Sequence, residues 1–95
     1  MLSFLPKTPM DVMQEIKTRF KARRKQLGLT QTDLAARSGV SLGSLKRFER
    51  TGQISLESLL KLALVLECLG DFDGVCLKRE KMPESIDALL EDKNG

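Results

Sequence analysis

The chain has 95 residues, 41% of them hydrophobic, with a formal net charge of +3, no His, Trp or Tyr, and two cysteines, Cys68 and Cys76. That length fits one small domain, and an aliphatic composition with few aromatics favours helices over sheet. Two thiols without CxxC spacing or histidine argue against a zinc site, and with no activating base they make poor catalysts, so neither a metal, a cofactor nor an enzymatic activity is expected.

Residues 1–8 form an N-terminal arm without a clear period. Thr8 then stands as an N-cap, Pro9 falls at the first helical position, and Asp11 completes a variant capping box. Met13, Ile16, Phe20 and Leu27 lie on one helical face, which predicts a helix from residue 9 to about Leu27, closed by Gly28 as a left-handed cap. Lys17, Arg19, Lys21, Arg23 and Lys25 occupy the rest of its surface. Thr30, with Asp33 three residues on, opens a second helix that Gly39 cuts short, with Leu34 and Ala35 facing inward. Ser41 caps a third, "LGSLKRFER", ending near Gly52.

Ser55 caps a fourth helix, "LESLLKLALVLECL", expected to run to Gly70. Leu59, Leu62, Ala63 and Leu66 form one stripe, with Leu56, Leu60, Leu64 and Cys68 beside or behind it. A helix apolar nearly all round is expected to be buried nearly all round, under the tail, a second subunit or both. In the tail, Phe72, Val75 and Cys76 suit a short fifth helix or a strand. "PESIDALLED" reads as a short acidic helix with Ile86, Leu89 and Leu90 on one side, and "DKNG" is expected to fray.

Charge is divided along the chain. Residues 1–50 carry 11 Lys/Arg against 4 Asp/Glu, and residues 51–95 carry 5 against 9. A basic half suits a polyanion such as DNA, the plainer alternative being a solvated charged surface. "MLSFLPKTP" lacks the apolar core of a secretory signal, and no apolar run approaches the roughly 18 residues of a membrane span. A cytoplasmic, nucleoid-associated protein with reduced thiols is expected.

Two short helices joined by a tight turn occupy residues 31–50. Ala35 is small where they approach, Gly39 suits positive φ, and Val40, Leu45 and Phe48 hold the second against the first. This is the spacing of a DNA-binding helix-turn-helix; an αα-hairpin with no DNA role is the alternative. The first turn of the second helix would meet base edges through Ser41, Leu42, Gly43 and Ser44, with Leu42 against a thymine methyl. Gly43 permits close backbone approach. Lys46 and Arg47 reach from one turn later, and Arg47 is the best guanine reader. Arg23, Lys25, Arg37 and Arg50 are candidate phosphate partners.

"LTQTDLAARSGVSLGSLKRFERTG" resembles the lambda-repressor-like helix-turn-helix domains, the Xre family, over roughly residues 12–70. Thr30-Gln31 matches the opening of the first motif helix and Phe48-Glu49 the close of the recognition helix. "ERTG" carries one residue more than the commoner E-x-G ending. The resemblance implies an all-α, four- to five-helix lambda-repressor-like domain at residues 9–70 with a C-terminal dimerisation or partner-binding extension at 71–95. It implies a structural ion pair between Glu49 and Arg24, the alternative being a solvated Glu49. It also implies phosphate contact by Gln31, beside Thr30 at a helix N-terminus.

Such small domains bind double-stranded DNA as homodimers across a pseudo-palindromic operator, with half-sites about 34 Å apart. Leu60, Leu64, Phe72, Val75, Ile86, Leu89 and Leu90 are the candidate dimer or partner surface. "SLESLLKLA" and the "S-I/L-D-x-L" tail resemble HipB-type antitoxins. That resemblance implies an autoregulating repressor paired with a HipA-like kinase toxin; a stand-alone Xre-family or phage-type regulator is the alternative.

Overall fold

The computed structural model describes residues 6–78. Four α-helices follow in order: α1 (Pro9–Gln26), α2 (Gln31–Ser38), α3 (Leu42–Thr51) and α4 (Leu56–Val65). A one-turn 3-10 helix, Leu69–Phe72, closes the described fold. Among the described residues there is no strand, and no helix is long and apolar enough to cross a membrane.

Each helix starts where a side-chain oxygen takes up an otherwise orphaned backbone N–H. The Thr8 hydroxyl accepts from the Asp11 N–H at 3.1 Å, and the Asp11 carboxylate accepts from the Thr8 N–H at 2.9 Å. Thr30 and Asp33 repeat this reciprocal box at 3.0 Å both ways. Hydrogen bonds donated to the carboxylates by the Thr8 and Thr30 backbone N–H groups, and then by their hydroxyls, hold the Asp11 and Asp33 carboxyls below the usual aspartate value. Ser41 and Ser55 cap α3 and α4 by accepting from the Ser44 and Ser58 N–H groups, each at 3.1 Å.

The helix ends explain one departure from expectation. After α1, the Gly28 and Leu29 N–H groups bond back to the Lys25 and Arg24 carbonyls at 3.0 and 3.1 Å, with Gly28 at φ +74°. After α4, the Glu67 and Cys68 N–H groups bond back to the Leu64 and Ala63 carbonyls at 3.2 and 2.9 Å. Here the left-handed residue is Glu67, at φ +62°. Both are Schellman closures. So α4 ends at Val65, well before Gly70, and Arg23 of α1 stabilises the stop by donating to the Leu66 carbonyl at 2.9 Å. Leu27, expected on the apolar face of the first helix, instead follows its last turn and is exposed.

The core comprises Phe20, Leu34, Val40, Leu45, Phe48, Leu62, Ala63 and Leu66. Phe20 meets the Phe48 ring edge-on at 5.7 Å, and Phe72 adds a second edge contact to Phe20 at 6.5 Å. Phe72 is thus half-buried against the core. Val75 and Cys76 lie in turns, neither a fifth helix nor a strand. Both cysteines are free; burial and the nearby Asp71 charge push the half-buried Cys68 thiol above its usual value.

Within residues 6–78, α4 is covered along the expected stripe and not all round; the cover expected from the tail or a second subunit lies outside the described residues. Leu62, Ala63 and Leu66 are buried and Leu59 packs against them, but Leu56 and Leu64 are 68% and 64% exposed. Leu60, between them on the same row, is half-buried. Ile86, Leu89 and Leu90, with the "PESIDALLED" and "DKNG" segments, lie outside the described residues.

Gly39 and Gly52 end α2 and α3 at φ +80° and +83°. A Cβ on Gly39 would meet nothing within 4 Å, whereas on Gly52 it would lie 3.1 Å from Gln14 Nε2 and 3.3 Å from the Met13 carbonyl oxygen. Gly39→Ala is expected to cost about 1–2 kcal/mol, the left-handed penalty alone. Gly52→Ala is expected to cost clearly more, because α1 must also give way. Urea midpoints at equal m-value check the order of the two losses.

Candidate nucleic-acid interface

The orientation of α3 is set from behind by a buried ion pair. Arg24 on α1 and Glu49 on α3 have side chains 9% and 4% exposed. Arg24 Nε donates to Glu49 Oε2 at 2.7 Å and Nη2 donates to Oε1 at 2.9 Å, a bidentate fork. Arg24 Nη1 donates to the Leu29 carbonyl at 2.9 Å, and Gln31 Nε2 donates to Glu49 Oε1 at 2.9 Å. One network therefore joins α1, the α1–α2 turn, the first residue of α2 and α3. Among the described residues no buried side-chain nitrogen or oxygen lacks a partner.

Burial pushes the Glu49 carboxyl upward, but the hydrogen bonds from Arg24 and Gln31 and the charges of Arg24 and Lys21 outweigh it. The net effect holds Glu49 below the usual glutamate value. The acid of this basic helix is thus ionised and turned inward.

The opposite side of α3 is exposed. Ser41, Gly43, Ser44, Lys46, Arg47 and Arg50 face solvent, and Leu42 is half-buried. The Ser41 hydroxyl donates to the Ser44 hydroxyl at 2.9 Å. Gly43 is helical, and a Cβ there would meet nothing within 4 Å, so the free chain places no steric demand for glycine at this site. Arg47 Nη2 donates to the Gln53 side-chain oxygen in the loop after α3.

The cations of α1 divide between two faces. Lys17, Lys21 and Lys25 recur every fourth residue and line one cleft with Thr18, Ala22 and Glu49. Lys17 Nζ also donates to the Arg50 carbonyl at 3.4 Å. This lysine row flanks α3 beside the start of α2. Arg19 and Arg23 lie across the helix, in a cleft with Ile16, Phe20, Glu67, Cys68, Asp71 and Phe72.

The structure therefore gathers Lys25, Gln31 and Arg50 around α3, with Thr30 exposed at the start of α2 and Arg37 exposed in its last turn. It separates Arg23 from them: that side chain caps α4 through Leu66 and sits 3.9 Å from the Glu67 carboxylate. In the sequence, Lys17 and Lys21 stand only as surface cations of the first helix, with no contact role, and Gln53 is not singled out. The two lysines carried a usable signal, lying seven and three residues before Arg24 and so on its face of the helix. Gln53 carried none.

A protein-family model described as Helix-turn-helix (HTH_3) matches residues 20–71, more than half of the chain. No curated protein and no solved structure matches.

Removing one side of a buried, hydrogen-bonded pair costs on the order of 3–5 kcal/mol. Glu49→Ala is expected to lose that much stability at pH 7. Because the folded-state pKa of Glu49 is depressed, its contribution is present above the unfolded value near 4.5 and is lost as pH falls through the folded value. The gap between wild type and Glu49→Ala should therefore narrow below about pH 4.5. Denaturant titrations from pH 7 to pH 3 check both the size and the direction.

Proposed function

The chain belongs to the helix-turn-helix family, and we propose that it is a sequence-specific transcriptional repressor that reads double-stranded DNA with α3. One observation carries the proposal: α3 buries its single acid, Glu49, against Arg24 and presents Lys46, Arg47 and Arg50 to solvent. Its outward face is short at the first turn and cationic one turn on. That shape suits a helix entering the major groove by its N-terminal end.

In this reading Arg47 reads guanine O6 and N7, Lys46 reaches a base or a phosphate, and Leu42 meets a thymine methyl. Ser41 and Ser44 offer hydroxyls to base edges, and Gly43 lets the backbone come close. Gln31 gives one amide hydrogen to Glu49 and keeps the other for a phosphate at the N-terminus of α2, beside Thr30. Lys17, Lys21, Lys25, Arg37 and Arg50 supply charge to the DNA backbone.

Two copies bind across a pseudo-palindrome, joined through the exposed Leu56, Leu64 and Val75 and the half-buried Leu60 between the two leucines. An antitoxin role beside a HipA-like toxin rests on the "SLESLLKLA" segment of α4 and on tail residues outside 6–78, and the geometry of α3 does not bear on it. Co-purification with such a toxin, lost on truncation after Arg79, is the test of that narrower role.

The test of DNA reading is selection of a preferred duplex from a random pool, followed by affinities at several salt concentrations. Arg47→Ala is expected to relax preference at one guanine by about 1–3 kcal/mol. Lys21→Gln should weaken binding to all sequences alike and lower the salt slope by about 0.9. The reverse pattern would overturn the assignment. Gly43→Ala should leave the fold unharmed, or stabilise it by up to about 1 kcal/mol, yet weaken binding to the selected duplex. Thermal melts paired with the same binding assay separate those two effects.

A further inference from the structure

Gln53 lies in the loop between α3 and α4, outside the recognition helix, yet the structure ties it to Arg47 in two ways. The Thr51 hydroxyl donates to the Arg47 carbonyl at 2.8 Å and accepts the Gln53 backbone N–H at 3.1 Å. The Gln53 side-chain oxygen accepts from Arg47 Nη2. Behind this loop, Gln14 of α1 donates to the Thr51 carbonyl at 3.0 Å, and the buried Gly52 turns the chain back at φ +83°. Hydrogen bonds from α1 thus hold the loop residue Thr51, which holds Gln53, which in turn holds an exposed guanidinium.

Arginine carries five donors in a planar fork. The bond to Gln53 uses one Nη2 hydrogen and leaves the second Nη2 hydrogen, both on Nη1 and the one on Nε. A two-pronged contact therefore stays open while the guanidinium is held. Arg47, Gln53 and Ser44 line one shallow cleft with Ile54, Ser55 and Ser58, so the pair sits at the edge of the α3 surface. A long arginine side chain loses considerable rotamer freedom when it is fixed on a base. One already held by a neighbour loses less.

We propose that Gln53 is a positioning residue for Arg47: it holds the guanidinium ready before DNA arrives and so sharpens discrimination at the base Arg47 reads. This rests on the DNA-reading role given to α3 above. Gln53 itself need touch no base.

The experiment uses the full chain, the duplex selected from a random pool, the same duplex with the Arg47-dependent guanine replaced, and an unrelated duplex, all at one salt concentration. Gln53→Ala is expected to narrow the affinity ratio of the first two duplexes by about twofold to tenfold, the worth of ordering one rotamer-rich side chain. It should leave the unrelated duplex and the thermal midpoint unchanged. Gln53→Glu, which still accepts from Arg47, should keep the ratio while its charge weakens binding to every duplex.

An unchanged ratio in Gln53→Ala overturns the proposal. An equal loss on all three duplexes also overturns it, by making Gln53 a backbone contact in its own right. Arg47→Ala separates the two levels. If it abolishes the preference while Gln53→Ala leaves the ratio unchanged, positioning fails and DNA reading stands. If it keeps preference at every base, the reading of Arg47 fails and positioning fails with it.

Discussion

Two parallel hydrogen bonds, at 2.7 and 2.9 Å, join the Arg24 guanidinium to the Glu49 carboxylate beneath α3. Taking two charges out of water is costly, and mutual attraction offsets the cost only where the remaining donors and acceptors are also satisfied. Here they are, through the Leu29 carbonyl and the Gln31 amide. The pair fixes the rotation of α3 about its own axis. Core burial of Leu45 and Phe48 alone would tolerate small rolls of the helix, since apolar packing is non-directional. A bidentate fork does not. The consequence is chemical as well as geometric, because the acid is removed from the surface that carries Lys46, Arg47 and Arg50.

The same economy governs α1. One face sends Arg24 inward and holds Lys17, Lys21 and Lys25 along the flank of α3. The other face sends Arg23 to the end of α4, where a cation meets the last carbonyls of a helix and the Glu67 carboxylate. Cations that look alike in sequence thus do three jobs: a buried tie, a helix cap and an exposed positive row. The row is the part suited to phosphate, since its ammonium groups stay in water until a polyanion displaces counterions.

Much of the fold was legible because its punctuation is local. Thr8, Thr30, Ser41 and Ser55 start helices through bonds to residues three positions on, and Gly28, Gly39 and Gly52 take positive φ where they end. The end of α4 was not legible, because Glu67 occupies the left-handed position and glutamate carries no stop signal. The core-facing stripe of α4 was legible, since Leu59, Leu62, Ala63 and Leu66 recur at helical spacing and leave Leu56, Leu60 and Leu64 behind them. The basic face of α3 could be read, since its spacing is helical. The Arg47–Gln53 contact could not, since it depends on how Gly52 turns the chain back after α3.

The most direct measurement is a map of backbone amide shifts as a selected duplex is titrated into the isotopically labelled chain. The largest changes are expected at residues 41–47 and at Thr30 and Gln31, with smaller ones along Lys17, Lys21 and Lys25. The side-chain signals of Arg24 should stay in place, since the tie to Glu49 is formed before DNA arrives. Shifts confined to Leu56–Leu64, with α3 silent, would contradict the assignment of α3 as the DNA-reading helix.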